Sequence, residues 1–376
     1  MENGVITNKP IILFGAGRKG KEALDYYGKA RVFFFADNHK AGLYYYGVPV
    51  ISVEDLRRIH KNYHVIISTA SNLFDEISEQ LERMGICDAD FFLPDYKEKY
   101  MRNPHLEVFK DMHKGECCFI IGNGPSLKAE DLSKIAETGY TSFASNKIYK
   151  MFEKTKWRPD YYFASDGQFI MHNWDAIQEF EGNIFLAYIE EYITPDMLYK
   201  LIGKDNVNLF RARYLQQEPS KNACLPIYAP YQEPYPSFSQ DAAKFVYEGF
   251  SVTYLMMQWA AYMGFAKICL LGVDHHFAHT CNYFEQVIPP QTITDTINRD
   301  HFCVDYYKAG ESIYISDVNS TEQAYKKAEQ YSQESGFRIY NATRGGKLEV
   351  FQRVDFDKLI DSLNKQGGGS YETHSV

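Results

Sequence analysis

Over 376 residues the chain has no Cys-x-x-Cys pair, no apolar run approaching the roughly 18–20 residues a spanning helix needs, and no excess of positive charge. Each absence excludes something. The seven cysteines, Cys87, Cys117, Cys118, Cys224, Cys269, Cys281 and Cys303, are odd in number and unpaired in spacing. They read as thiols of a reducing compartment rather than a disulfide frame, with Cys117 and Cys269 as small core residues inside apolar strands. The opening Met1 to Asn8 is polar and has no secretory apolar core. The net charge of −9 excludes a broad nucleic-acid binder, which needs a basic face, and excludes docking on anionic lipid by charge alone. A cytoplasmic protein with no transmembrane segment follows, able to work at the inner face of the membrane through a partner. What the chain does have is aromatics, 30 Tyr and 26 Phe. Core and turn packing is their plainer use, and platforms for sugars or bases the more specific one.

The length predicts two domains. Apolar strands alternate with helices throughout, which predicts an α/β protein with two Rossmann-like parallel-sheet domains. The first, residues 1–97, reads as strands at Ile11 to Phe14, Arg31 to Ala36 and Val65 to Ser68, with helices at Lys19 to Tyr27, Val53 to His60 and Asn72 to Met84. A charged connector, 98–116, follows. The second domain, 117–362, restarts the grammar with strands at Cys117 to Ile121, Thr141 to Ser145, Tyr161 to Ser165, Ile184 to Tyr188, Val207 to Phe210, Ile268 to Val273 and Phe337 to Asn341. Helices are expected at Ala129 to Thr138, Lys147 to Phe152, Ser251 to Met263 and Glu322 to Ser335. Pro219 to Pro236, rich in Pro, Tyr and Gln, reads as a loop or lid. Residues 363–376 read as a flexible tail.

Two glycine turns carry candidate chemistry. Gly15-Ala16-Gly17-Arg18-Lys19-Gly20 lies between a strand and a helix, and Asp37 ends the next strand where a ribose-binding acid would stand. Gly15, Gly17, Gly20 and Asp37 are therefore candidate cofactor-binding residues. A scaffold turn is the competing reading. In the second turn, Gly122-Asn123-Gly124-Pro125-Ser126, backbone N–H groups and the Asn123 side chain can hold phosphate oxygens, and Ser126 can cap the next helix. A plain tight turn uses the same residues. Three more strands end in polar side chains, at Asn146, Asp166 and Asp274-His275. Four polar tips at carboxyl ends of parallel strands point to a ligand site on one sheet edge. His275, His276 and His279 with Asp166 could also bind a metal, although polar loop histidines are the simpler account and no metal is assigned. Arg211, Arg213 and Arg344 are the cations available to phosphates, and a solvated or structural role for each is the simpler account.

Residues from about Cys117 to Val354 resemble the sialyltransferase-like superfamily, which holds bacterial sialyltransferases, motility-associated flagellin glycosyltransferases and 6-hydroxymethylpterin pyrophosphokinases. The motifs are Gly122–Ser126, Ser145-Asn146, Pro159-Asp160-Tyr161-Tyr162 with Asp166, Ser251-Val252-Thr253, Gly264-Phe265 into Leu271-Gly272-Val273-Asp274, and Asn341 to Gly346. The front domain resembles the small Rossmann-like domains of sugar-modifying and glycan-assembly enzymes. The resemblance implies that Asn123 and Asn146 hold a nucleotide-linked donor and that Ser251 and Thr253 flank its base. It implies a proton acceptor at Asp305, where sialyltransferases have His, with His301 as the neighbouring candidate. Tyr306 and Tyr307 would donate to the departing phosphate.

The expectation is a glycosyltransferase of surface polysaccharide assembly, taking a sugar from a nucleotide-activated, CMP-type donor to a glycan hydroxyl, with no cofactor required. Substrate-binding residues would be Gly122, Asn123, Gly124, Ser126, Asn146, Asp166, Ser251, Thr253, Asp274, His275 and Tyr306. A pyrophosphokinase using ATP and Mg²⁺ on a hydroxymethyl pterin is one rival. A non-catalytic nucleotide or glycan binder is another. The donor and acceptor are the expected partners, and a homo-oligomer stays open.

Overall fold

The structure, a computed structural model, describes residues 9–70, 73–87, 89–92, 104–187, 204, 206–213, 235–281, 291–292, 299–308 and 310–367. The expected lid, apart from 235–236, and the tail beyond 367 lie outside these residues, as do parts of the irregular stretch 278–311. The chain divides into two compact units, Met1–Glu98 and Lys99–Val376.

The first unit contains β1 (Ile11–Phe14), α1 (Arg18–Tyr27), β2 (Val32–Ala36), β3 (Tyr44–Tyr45), β4 (Val48–Ile51), α2 (Val53–Ile59), β5 (His64–Ile67), α3 (Phe74–Arg83) and β6 (Asp90–Phe91). The sheet order is β3-β4-β2-β1-β5-β6, parallel except for the β3–β4 hairpin. β1 sits centrally because Ile11, Ile12, Leu13 and Phe14 are all buried and leave no polar face for solvent. Serine chemistry starts α2, where Ser52 and Asp55 form a reciprocal capping box.

The second unit contains β7 (Cys117–Ile121), α4 (Ala129–Thr138), β8 (Thr141–Ser145), β9 (Tyr161–Ala164), α5 (Gly167–His172), α6 (Trp174–Ile177), β10 (Asn183–Ala187) and β11 (Val207–Phe210). Then come β12 (Ala212–Arg213), β13 (Val246–Tyr247), α7 (Val252–Tyr262), β14 (Lys267–Leu271), β15 (Gln291–Thr292), β16 (Ser312–Ile313), α8 (Val318–Ser335), β17 (Arg338–Asn341), β18 (Gln352–Arg353) and α9 (Phe356–Gly367). Eight of these strands form one parallel sheet in the order β11-β10-β9-β8-β7-β14-β17-β18. The order reverses at β7, which pairs with β8 on one side and β14 on the other.

Period-two alternation splits the strand residues between two cores. Cys118, Ile120, Phe143, Phe163 and Phe185 face α7 and α8, together with Trp259, Tyr254 and Ala324. Phe119, Ile121, Ala144, Tyr162 and Leu186 face α4, α6 and α9, through Leu132, Ile135, Ile177, Phe356 and Ile360. Helix α7 is buried on nearly every side, so each of its large apolar side chains contributes roughly 1.5–3 kcal/mol. Its single mid-helix amide, Gln258, is also buried. Gln258 accepts from the Ser239 and Tyr247 N–H groups and donates to the Tyr247 and Tyr254 carbonyls, so no polar atom is stranded.

Several elements differ from the sequence expectation. The stretch after β8 is a 3₁₀ segment, Asn146–Met151, bent at Lys147, rather than an α-helix. Helix α8 begins at Val318, four residues before Glu322, because Asp317 accepts from the Ser320 N–H and caps it. Leu106 and Phe109 of the expected connector are buried in the α7-side core, and the Asp111, His113 and Gly115 N–H groups donate to the carbonyls of Tyr262, Met263 and Gly264. Helix α9 runs to Gly367, past the 362 boundary, with Phe356, Ile360 and Leu363 on one apolar stripe and the Asp355 carboxylate accepting from the Lys358 N–H.

Candidate functional site

In the second unit, β7, β8, β9 and β14 are parallel neighbours, so their carboxyl tips share one edge. Asn123, Asn146, Asp166 and Asp274-His275 are thereby brought together at the strand-order reversal. The backbone there is unusually constrained. Asn146 (φ 51°), directly after β8, and His275 (φ 51°), four residues past the end of β14, are non-glycine residues in left-handed conformation, and Phe250 (φ 55°) is another just before α7. Each such position costs of order 1–3 kcal/mol, and such strain clusters at ligand sites.

The second glycine turn does a different job from the phosphate cradle the sequence suggested. The Gly122 N–H donates to the Leu271 carbonyl at 2.8 Å, that of Gly124 to the Gly272 carbonyl at 2.9 Å, and that of Leu127 to the Gly124 carbonyl. Ser126 does not cap α4. The N-cap of α4 is Lys128, without a side-chain bond, and the Ser126 hydroxyl donates to Asp274 Oδ2 at 2.7 Å. Gly122 and Gly124 are required for packing, since a methyl on either would overlap the Gly272 carbonyl or the Asp274 carboxylate. The turn is a strut against the β14 tip. Burial raises the Asp274 carboxyl above its ordinary range, and the bonds from Ser126 only partly oppose this.

Asn123 is the turn's outward group. Its amide donates to the Ser145 carbonyl at 3.0 Å, its backbone carbonyl accepts from the Phe302 N–H at 3.1 Å, and its Oδ1 is buried without a partner. Phe302 belongs to a strap, residues 299–308, that lies over the tips of β7 and β8. On it, the His301 imidazole stacks on Tyr306 (centroids 3.9 Å, 13°) and meets Tyr307 edge-on at 5.1 Å. His301 Nδ1 is buried without a partner. Burial, aided by the nearby Lys147 charge, lowers the His301 pKa to about 4, so the imidazole is neutral near pH 7.

Asp305, the expected base, points away. Its side chain is 75 % exposed and paired with Lys150 at 2.8 Å. Lys150 and the Cys303 thiol lower its carboxyl to about 2, which leaves a weak proton acceptor. Tyr306 is buried, its hydroxyl accepts the Lys147 N–H, and its ring is the platform under His301. Asp166 caps α5 by accepting from the Phe169 N–H at 3.0 Å. Its side chain is exposed, and the protein packed around it raises its carboxyl above the ordinary range, opposed by the bonds from the Phe169 and Gln168 N–H groups.

Ser251 caps α7, and its hydroxyl lies 3.2 Å from the Tyr325 hydroxyl, beside the largely buried Thr253. His275 is buried next to the Tyr325 ring at 5.6 Å, with Nε2 unbonded and 3.8 Å from Glu322. Arg344 clasps Asp131 with two bonds, at 2.8 and 2.9 Å, and Asp357 with a third at 2.8 Å, so it ties α4 to α9. Among the described residues no three His, Cys, Asp or Glu side chains gather as metal ligands. Glu311, Glu322, Tyr325 and the buried Lys147 were not singled out from sequence. Only the Asn-Lys pair directly after a strand hinted at Lys147.

In the first unit, Gly15 (φ 112°) and Gly20 are required by close backbone approach, while Gly17 opens onto free space. Asp37 braces the turn: its carboxylate accepts from the Ala16 and His39 N–H groups, both at 2.9 Å. Lys40 donates to the Ala16 carbonyl and the Tyr45 hydroxyl to the Gly17 carbonyl.

Residues 93–280, half of the chain, match the family model described as 6-hydroxymethylpterin diphosphokinase MptE-like. The chain belongs to the MptE-like family. This agrees with the superfamily indicated by the Gly122–Ser126 and Asp274 motifs. Among solved structures, the MAf glycosyltransferase from Magnetospirillum magneticum AMB-1 is similar at 12% identity and a TM-score of 0.39, over 96% of this chain and 60% of that one. This member of the MptE-like family therefore spans 60% of that protein's length. Among curated proteins none matches it. No described helix of this family member is long and apolar enough to cross a membrane.

Proposed function

We propose that the protein is a transferase that moves a glycosyl group from a nucleotide-activated donor to a glycan hydroxyl in surface polysaccharide assembly, with Asn123 contacting the donor and His301 accepting the hydroxyl proton. One observation carries this reading. Asn123 Oδ1 and His301 Nδ1 are both buried without partners, on segments joined by the Phe302-to-Asn123 hydrogen bond. Each orphaned group costs roughly 1–3 kcal/mol, a cost a fold retains where a ligand supplies the missing partner. A neutral imidazole near pH 7 can take a proton, whereas the Lys150-paired Asp305 is poorly suited.

The second reading is diphosphoryl transfer from ATP to a hydroxymethyl pterin, and the family description favours it. That reaction needs cations on the transferred phosphates. Arg344 and Lys147 are each already paired with carboxylates, which weighs toward glycosyl transfer. In the second reading the Asp166 carboxylate, at the tip of β9, would supply one ligand to a phosphate-bound Mg²⁺.

Thermal shift with CMP, CDP, UDP, GDP, ATP, AMP and NAD, each with and without Mg²⁺, separates the two, because a ligand of the folded state raises Tm by mass action. The expected result is stabilisation by CMP or CDP without metal, lost in Asn123→Ala. Stabilisation by ATP with Mg²⁺ alone overturns the glycosyl reading in favour of the kinase, and no shift with any nucleotide overturns both.

A further inference from the structure

We propose that Lys147 is a positioning residue for His301: its buried ammonium, held beneath the Tyr306–Tyr307 ring pair by Glu311, fixes the strap that carries the imidazole and disfavours a second positive charge there. This deepens the reading of His301 as base and rests on it for its catalytic consequence, though the electrostatic relationship stands by itself.

The geometry begins at Asn146. Its left-handed backbone, followed by a non-helical Lys147 (φ −81°, ψ 27°), turns the lysine inward at the tip of β8. The Lys147 side chain is 5 % exposed and its Nζ lies 2.7 Å from Glu311 Oε2. The ammonium stands 4.6 Å from the centre of the Tyr307 ring and 5.9 Å from that of Tyr306. The Lys147 backbone N–H donates to the Tyr306 hydroxyl at 3.3 Å. Tyr306 and Tyr307 are the two rings His301 packs against. Lys147 thus grips the strap through two cation–π contacts and a hydrogen bond, each ending on a ring that touches the imidazole, while its ion pair with Glu311, just beyond the strap, holds the ammonium in place.

A solvated lysine pays nothing to sit in water, whereas a buried one must be compensated. Glu311 compensates the charge but does not erase its field at His301. The charged and titratable groups facing this corner are Tyr306 and Tyr307 against the imidazole, Arg299, Asp300, Cys303, Asp305 and Lys308 elsewhere on the strap, Lys147, Lys150 and Glu311 packed against it, and Asp166 near Tyr307. The Lys147 charge acts on the imidazole in the same direction as burial, which is the larger effect. Protonating His301 would place two cations across one pair of aromatic rings in a water-poor setting, which the field of Lys147 opposes.

The test is an NMR titration of the His301 ring in the full-length protein, with Lys147→Met to delete the charge and Lys147→Arg to keep it. The expected midpoint is near 4 in the parent protein, raised by about one pH unit in Lys147→Met and restored toward the parent in Lys147→Arg. Should Met not be accommodated, Lys147→Gln, which is polar and uncharged, serves the same comparison. A midpoint that stays put in a folded charge-deleted variant overturns the proposal, as does one that Arg fails to restore. In a transfer assay the acid limb of kcat/KM should move up with the titration midpoint. If His301→Ala keeps full transfer activity while the titration shift is present, the base assignment falls and the electrostatic relationship survives, so the two failures are distinguishable.

Discussion

The Ser126 hydroxyl and the Asp274 carboxylate meet at 2.7 Å across the point where the strand order of the large sheet reverses. The two residues end different strands, 148 positions apart, and together they shut the gap directly between β7 and β14. In the proposed reaction the donor would lie further out, over Asn123 and Asn146. The contact also sets a sign for pH. Burial raises the folded-state pKa of Asp274 above its unfolded value despite the Ser126 bonds. Its contribution to stability is therefore fully present below the unfolded carboxylate value and is lost as pH rises through the folded one.

Ser126→Ala should cost about 1–2 kcal/mol near pH 7, because a buried carboxylate loses a donor. Adding Asp274→Asn to Ser126→Ala should recover most of that cost by removing the charge. Urea unfolding of both variants at pH 5 and pH 7.5 measures it. Equal losses in the single and double variants would show that the contact does not set the charge balance.

The glycines divide into two kinds. Gly124→Ala drives a methyl into the Asp274 carboxylate and should cost at least about 2 kcal/mol of stability, on the scale of core overpacking. Gly17→Ala meets nothing within 4 Å and should leave Tm almost unchanged. A folded Gly17→Ala protein is thus a clean probe of the first unit. If NAD raises Tm in the parent protein and not in this variant, the Gly15–Gly20 turn binds a pyrophosphate. A shift present in both proteins places the nucleotide elsewhere.

The alternation of apolar strands and helices was enough to read the eight-stranded parallel sheet and the parallel part of the first, because the inner strands are apolar on both faces and show it in sequence, whereas the short antiparallel β3–β4 hairpin carries no such run. The convergence of Asn123, Asn146, Asp166 and Asp274 followed from the same pattern. What stayed hidden depended on partners distant in sequence. Ser126 looked like a helix cap because Asp274, its real partner, is 148 residues away. Arg344 looked available to phosphate because Asp131, 213 residues earlier, cannot be seen as its mate. Asp305 looked like a base from its place in a motif, but Lys150 engages it on the surface. Helix α9 was legible in Phe356, Ile360 and Leu363 at helical spacing, and the following glycine run drew attention away from it.

Arg344 predicts a stability effect without a direct functional one. Its two hydrogen bonds to Asp131, whose side chain is only 3 % exposed, close α4 onto the Thr343-to-Gly346 loop. Arg344→Ala leaves that carboxylate buried without its partner and should cost about 2–4 kcal/mol. Arg344→Lys, which cannot bond in two places, should recover less than half of this. Asp357→Ala removes only an exposed partner and should be mild. Nucleotide-induced shifts in Tm should persist in Asp357→Ala. A large loss of binding there would instead place Arg344 at the ligand.

The two proton-acceptor candidates make opposite predictions. Asp305 is exposed and its carboxyl is held near 2 by Lys150 and Cys303, so Asp305→Asn should change transfer by no more than a few fold. His301→Ala should lower kcat by about 100-fold or more, the usual worth of a positioned base. The imidazole must be neutral to accept a proton, so activity should hold above pH 5 and fall only as pH drops through about 4. Stability carries the same sign. The folded-state pKa lies below the ordinary histidine value of 6.5, so the contribution of His301 is complete above 6.5 and shrinks as pH falls toward 4. In His301→Ala the fall in Tm between pH 6.5 and pH 4.5 should accordingly be smaller than in the parent protein. An acid limb near pH 6.5 would mean that the imidazole titrates as in water. Unchanged activity in His301→Ala together with loss in Asp305→Asn would return the base role to the carboxylate.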